Sequence, residues 1–360
     1  MENASLKPVA FYLPQFHPIP ENDEWWGKGF TEWTNVTRAS PLFEGHRQPR
    51  LPTETGFYDL RVPEVRLHQE ELASDHGIHG FCYYFYWFNG RRVLERPLQD
   101  KFSDQGADLP FCLFWANERW TRTWSFKGQD VLMEQTYSSE DAEALIQHLI
   151  PMFRDPRYIK VDGKPVFVVY HPIQINIWNT YEHVFRQRVA EAGFPGLYLC
   201  MVLKSKRQSN HQDFNCDAMI EFPPSMAPGM KRMREVAEER YGDRFFEPHE
   251  GRLMLHRRLM QGFIKRKYEG QTVHRTVVTD FDNTARMGKQ AMILPDAAPE
   301  VYGKWLRQAC ADTMERHQGD ARLVFIFAWN EWAEGAYLEP DEHHGRAYLE
   351  MTRYTLKAFT

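Results

Sequence analysis

Residues 324–340 read VFIFAWNEWAEGAYLEP, and this stretch decides the fold. It opens as an unbroken apolar run and closes in a polar cluster of Asn330, Glu331, Glu334 and Glu339. An apolar run without alternation is what a parallel strand becomes when helices cover both faces of its sheet. Residues three apart on a continuing strand point to opposite faces. If Glu331 and Glu334 are to serve one site, the chain must therefore leave the strand in a turn near residues 332–335.

The same kind of run recurs along the chain. PVAFYLPQF is centred on residues 9–16, GIHGFCYYFYWF covers 77–88 and LPFCLFWANE 109–118. KPVFVVYHP (164–172), GLYLCMVL (196–203), DAMIEFPP (217–224) and RTVVTDFDN (275–283) follow, and RLVFIFAWNEW (322–332) is the last. Helical patterns fill the intervals, as in PEVRLHQEELASDHG, SSEDAEALIQHLIPMF, YEHVFRQRVAEAG and PEVYGKWLRQACADTMERH, and HGRAYLEMTRYTLKAF reads as a closing helix. Strands alternating with helices predict a parallel sheet, and 360 residues suit an α/β chain folded as one (β/α)₈ TIM-type barrel. A doubly wound open sheet would favour a glycine-rich turn after the first strand, and FYLPQFHPIPENDEWWGKGF has none. Two connections exceed ordinary loop lengths. One is a long N-terminal insertion over about residues 16–58; the other is a helical insertion around 225–270. No repeat or linker divides the chain, so residues 1–360 are expected to form a single domain.

Composition narrows the function. The formal charge of −5 offers no global field for nucleic acid. Cys82, Cys112, Cys200, Cys216 and Cys310 are widely spaced, which fits neither a disulfide framework nor a zinc site. No run reaches the ~18 apolar residues of a membrane span. The N-terminus lacks the charged and apolar regions of a signal peptide, so a cytoplasmic location is expected. Eleven tryptophans and sixteen tyrosines supply flat faces on which sugar rings stack.

Barrel chemistry sits at the C-terminal ends of the strands. There the sequence places Tyr12 and Gln15; Tyr86, Trp87 and Asn89; Asn117 and Glu118; Tyr170 and His171; Glu221; Asp280 and Asp282; and finally Asn330, Glu331 and Glu334, with Trp332 between the two glutamates. Taken singly, His171 reads as a hydrogen-bonded rim histidine and Glu221 as the partner of an arginine. Taken together they describe an aromatic pocket rich in carboxylates. Cleaving a glycosidic bond needs one acid for the departing oxygen and a second carboxylate as nucleophile or base. Crowded carboxylates raise one another's pKa, which keeps one protonated near neutrality. The DFD triplet at 280–282 suggests the alternative of a metal-dependent, nucleotide-sugar-using glycosyltransferase, and a barrel that only binds carbohydrate is a third reading. No cofactor and no dedicated metal site are expected.

With these residues in view, the chain resembles the WbsX-type family, a glycoside hydrolase family 99-like group of bacterial polysaccharide gene clusters. The resemblance is carried by FYLPQFHPIPENDEWWGKGFTEWTNV, GFCYYFYWFNGRRVLERP, FCLFWANERWTRTW and FAWNEWAEGAYLEPD. It implies a (β/α)₈ hydrolase fold and action on a surface polysaccharide, O-antigen-like, or on its precursor. It further implies that Glu331 deprotonates the sugar's own 2-hydroxyl, that this oxygen attacks the anomeric carbon, and that Glu334 serves the glycosidic oxygen, with overall retention. Ala333 stands where the family 99 mannosidases carry histidine. If the 2-hydroxyl is substituted, Glu331 with Glu118 across the mouth is the expected pair. Tyr12, Trp33, Tyr86, Trp87, Trp115 and Trp120 are the expected sugar platforms; Glu32, Asn117, Glu118 and His171 are expected to meet hydroxyls. The basic stretch 230–267 is read as solvated helices on the barrel, with peripheral contact to a lipid-linked glycan as its functional alternative.

Overall fold

Every one of the eight apolar runs folds as a strand, and the strands lie parallel in a sheet that closes on itself. The computed structural model describes residues 5–104, 106–122, 130–225 and 230–359, with backbone alone for 230–234. Strands β1 (Lys7–Tyr12), β2 (Gly80–Phe88), β3 (Phe111–Trp115), β4 (Lys164–Val169), β5 (Tyr198–Leu203) and β6 (Ala218–Glu221) follow one another round the barrel. Strand β7 is interrupted at Arg275: Val273–His274 pairs with β6, and Thr276–Val278 pairs with β8 (Leu323–Phe327). Strand β8 then pairs with β1, Val9 lying opposite Phe325, which completes the ring.

The pleat sorts aromatic side chains between the inside of the ring and the layer beneath the helices. Phe11 points inward, and its ring centroid lies 5.5–6.1 Å from those of Tyr84, Phe114, Phe222, Phe325 and Phe327. These rings plug the barrel. The next residues along, Tyr12 and Trp115, face outward into the helix layer, where Tyr12 packs on Phe81 and Tyr83 and Trp115 stacks on Tyr181.

The N-terminal insertion carries two short helices, α1 (Pro20–Trp26) and α2 (Glu32–Arg38), the second closed by a capping box between Thr31 and Thr34. The outer ring continues with α3 (Pro63–Asp75), α4 (Arg96–Ser103), α5 (Ser139–Phe153) and α6 (Trp178–Glu191). Proline at the first turn of α3 costs no helical hydrogen bond, and the hydroxyl of Ser138 caps α5 by accepting from the Asp141 amide at 3.1 Å. The second insertion holds α7 (Met230–Tyr241) and α8 (His256–Ile264). A single turn, α9 (Thr284–Met287), follows β7, and α10 (Pro299–Arg316) and α11 (Ala347–Leu356) complete the layer. No helix among the described residues is long and apolar enough to cross a membrane.

Candidate active site

After β8 the chain leaves the sheet where the carboxylate spacing demands it. Trp332–Glu334 form one 3₁₀ turn, and Gly335 ends it in the left-handed region at φ 62°. A Cβ at Gly335 would sit 3.0 Å from the Arg50 guanidinium and from Asp282, so glycine is needed here for space as well as for φ. The turn aims Glu331 and Glu334 into a bowl of about 680 Å³ at the C-terminal mouth. The aromatic plug is its floor. Tyr86, Trp120, Tyr137, Tyr170 and Trp26 stand in its walls, and Glu118, Arg119, Glu134, Lys204 and Arg286 are its other charged residues.

Arg286, projecting from α9, grips both glutamates. Its Nη1 donates to Glu334 Oε1 at 2.6 Å and its Nη2 to Glu331 Oε2 at 3.2 Å, while Nε donates to Glu32 Oε1 at 2.7 Å. Burial pushes the Glu331 carboxyl up to about 8, and repulsion from Glu334 and Glu32 adds to the rise against the opposing pull of Arg286. Burial raises Glu334 as well, again opposed by Arg286 and by Lys204. With the Glu331 carboxyl at about 8, the pair holds a proton at neutral pH. Tyr84 and Tyr86, buried beside them, stay protonated.

On another wall Glu118 receives Lys204 at 3.4 Å and lies 3.0 Å from His171 Nε2. Burial would raise Glu118, but the His171 contact and Lys204 outweigh it and hold the carboxyl below its ordinary range. Gln208 spends its amide nitrogen on the Tyr170 and Val202 carbonyls, so its oxygen faces His171 Nδ1 at 3.0 Å and fixes that nitrogen as the donor. Lys204 lies over the Tyr170 ring, 3.9 Å from its centroid, with its ammonium against the hydroxyl. Burial lowers its pKa, and Glu118 opposes the fall.

Of the expected residues, Tyr86, Glu118, Trp120, Glu331 and Glu334 line the bowl, with His171 behind Glu118. Others do not reach it. Tyr12 donates to Gln69 Oε1 at 2.7 Å and Trp87 to Asp141 Oδ1 at 2.8 Å in the outer layer; Trp115 is fully buried beside them. Trp33 and Trp332 pack on each other behind the turn, centroids 5.5 Å apart. Asn117 clamps the backbone of His171, and Asn330 does the same for Leu13, each through one donor and one acceptor. Glu221 accepts from Arg275 and Tyr268 at the broken strand. Glu32 lies beneath the bowl, fully buried.

The DFD carboxylates are filled from within the protein. Arg50 binds Asp280 at 2.6 Å and Asp282 at 3.3 Å, and His46, Gln48 and Thr284 complete the shell of Asp282. Burial works to raise Asp282, but the His46 bond and Arg50 win and keep it strongly acidic. Among the described residues no cluster of histidine, cysteine and carboxylate ligands has the form of a metal site. Arg286 and Lys204 were not foreseen from sequence. The signal for Arg286 was a lone arginine one turn beyond a strand end, in DNTARMGK, on the side of the barrel where charge is functional. Thr123 and Trp124, which end the FCLFWANERWTRTW motif, lie outside the described residues.

Comparison with known proteins follows the same lines. A family model described as Glycosyltransferase WbsX matches residues 8–352. A curated protein of Xanthomonas campestris pv. campestris, called uncharacterized protein WxcX, is 42% identical over 351 residues, covering 97% of this chain and 49% of its own length. Its counterpart in strain B100 is 41% identical over 350 residues, with the same coverage. The chain thus spans about half the length of the curated relatives it matches. Among solved structures, a glycoside hydrolase-like protein superposes with a TM-score of 0.63 at 13% identity, covering 99% of this chain and 95% of that one. The GH99 endo-alpha-mannosidase from Bacteroides thetaiotaomicron gives 0.58 at 13% identity, covering 98% and 97%. At such identity these two likenesses are likenesses of fold.

Proposed function

This chain belongs to the WbsX family, and from that premise we propose that it is a carbohydrate-active enzyme, a retaining glycoside hydrolase or transglycosylase whose acid–base pair is Glu331 and Glu334. The observation that carries the reading is the grip of one guanidinium on both carboxylates inside an aromatic-walled bowl. Two acids within reach of one Arg286 also lie within reach of one sugar. The substrate we infer is a bacterial surface polysaccharide, O-antigen-like, or its precursor, with sugar faces set against Tyr86 and Trp120.

In the proposed step Glu331 takes the proton of the 2-hydroxyl as that oxygen closes on the anomeric carbon. Glu334 gives its proton to the departing glycosidic oxygen. Water then opens the anhydro-sugar: Glu334 removes a proton from the attacking water, and Glu331 returns one to the 2-oxygen. A sugar hydroxyl as second acceptor in place of water makes the same site a transglycosylase. In the empty bowl the Glu331 carboxyl lies at about 8, so this route requires the proton of the pair to stand on Glu334 when substrate is bound. The negative cluster also suits the positive charge that builds on the ring.

The family description favours a second reading, glycosyl transfer from a nucleotide sugar. The occupation of Asp280 and Asp282 by Arg50 counts against the metal-diphosphate form of it. Incubation of the wild type, Glu331→Gln and Glu334→Gln with a panel of bacterial oligosaccharides tests the proposal. Loss of turnover with retained glycan binding in both variants supports it; full activity in either overturns it.

A further inference from the structure

Three bonds that Arg286 makes are not equivalent in origin. Glu331 and Glu334 come from the end of the barrel, whereas Glu32 comes from α2 of the N-terminal insertion. Its amide donates to the Gln15 carbonyl at 3.0 Å, which pins α2 to the loop after β1. The Glu32 side chain has no exposed surface, and its second oxygen, Oε2, has no hydrogen-bond partner. A buried carboxylate with one oxygen unsatisfied is costly, and its presence calls for an explanation. Its neighbour Trp33 packs on Trp332, the residue that separates the two glutamates. Adjacent residues of one short helix thus reach two sides of the same turn.

We infer that Glu32 is a positioning residue which, by holding Arg286 from behind, keeps the Glu331–Glu334 pair in possession of its shared proton. This deepens the reading of the pair given above and rests on it for its meaning in catalysis. The charges explain how it works. The pair faces Arg286 from α9, Lys204 from beyond β5, Glu32 from α2, and the neutral phenols of Tyr84 and Tyr86 from β2. With Glu32 present, Arg286 is already matched by one carboxylate, so two further ionised carboxylates leave the buried cluster with excess negative charge. One proton relieves it. Without the Glu32 charge Arg286 is released to neutralise the pair, and the proton leaves at lower pH. The planar guanidinium also loses the hydrogen bond that its Nε makes to α2.

The test reads protons and needs no substrate. The protein is labelled with ¹³C at glutamate carboxyl carbons and titrated by NMR, with the pair's signals assigned by their loss in Glu331→Gln and Glu334→Gln. The expectation is that Glu32→Gln lowers the upper midpoint of the pair by about one unit or more. Glu32→Asp, which keeps the charge but withdraws it by one methylene, should lower it by less. An unmoved midpoint in folded Glu32→Gln overturns the inference. If that variant does not fold, Glu32→Asp decides, and a midpoint equal to wild type overturns it. A shift alongside full turnover in Glu331→Gln or Glu334→Gln would sink the functional reading and leave the Glu32 inference standing.

Discussion

The indole of Trp332 donates to Glu339 Oε2 at 2.6 Å, beneath the turn that carries Glu331 and Glu334. Gln69 and Tyr58 donate to the same carboxylate at 2.7 and 2.9 Å, and no cation among the described residues pairs with it. Burial raises Glu339 to about 7, against the pull of these donors.

That elevation has a sign. A carboxyl whose midpoint is higher folded than unfolded stabilises the fold most at low pH, and the contribution is lost as pH rises through the folded midpoint. For Glu339 the window runs from about pH 4.5, the ordinary glutamate value, to about 7. Stability should therefore fall across it by up to about 3 kcal/mol from this group. Glu339→Gln should show a flatter profile than wild type when denaturation midpoints are compared at pH 4.5 and 7.5. Parallel profiles would mean that Glu339 does not change its proton there.

The shared proton sets a limit on activity. On the proposed mechanism the pair must hold one proton, and with the Glu331 carboxyl at about 8 kcat/KM should fall as pH rises through that region. Glu334→Gln should lower turnover on an ordinary glycoside by about a thousandfold. It should retain most activity on a glycosyl fluoride, whose leaving group needs no proton. If Glu331→Gln keeps the fluoride activity instead, the two roles are exchanged.

Trp115 and Trp120 are five residues apart in sequence and have opposite tasks. Trp120 lines the bowl, so Trp120→Ala should weaken glycan binding about tenfold, read by calorimetry, with little change in melting temperature. Trp115 is fully buried under the helices. Trp115→Ala should cost about 3–5 kcal/mol in denaturant titration.

Arg50 is the internal cation of the DFD pair. Arg50→Met leaves Asp280 and Asp282 buried with an excess of negative charge and should destabilise by about 3–5 kcal/mol. Asp282 is held strongly acidic when folded, so its contribution is present at neutral pH and lost on acidification. The difference from wild type should shrink as pH falls, and added manganese with a nucleoside diphosphate should leave it unchanged.

Sequence periodicity was sufficient for the barrel, because both-face burial writes itself into continuous apolar runs. It also located the turn at 332–335, since two carboxylates three apart can share a mouth only by leaving the strand. What it could not decide was which aromatic residues face inward. In a strand buried on both sides the alternation of polarity disappears, so nothing in YYFYWF separates Tyr86, inside, from Trp87, outside. Acidic residues at strand ends misled for another reason. Asp280, Asp282 and Glu221 are neutralised by Arg50 and Arg275, and Arg50 comes from a segment more than two hundred residues away in the chain.

The break in β7 gives the barrel a seam. On one side of Arg275 only Val273 and His274 pair with β6, and on the other only Thr276–Val278 pair with β8. Across the gap Glu221 does the work of the missing ladder, taking the Thr276 amide at 3.3 Å on its carboxylate and the Thr276 hydroxyl on its carbonyl. Amide protons of this stave should exchange with solvent ahead of those of β2 and β3, whose ladder runs unbroken from Phe81 to Phe85. The wall of the barrel should therefore open first along this seam and last between β2 and β3.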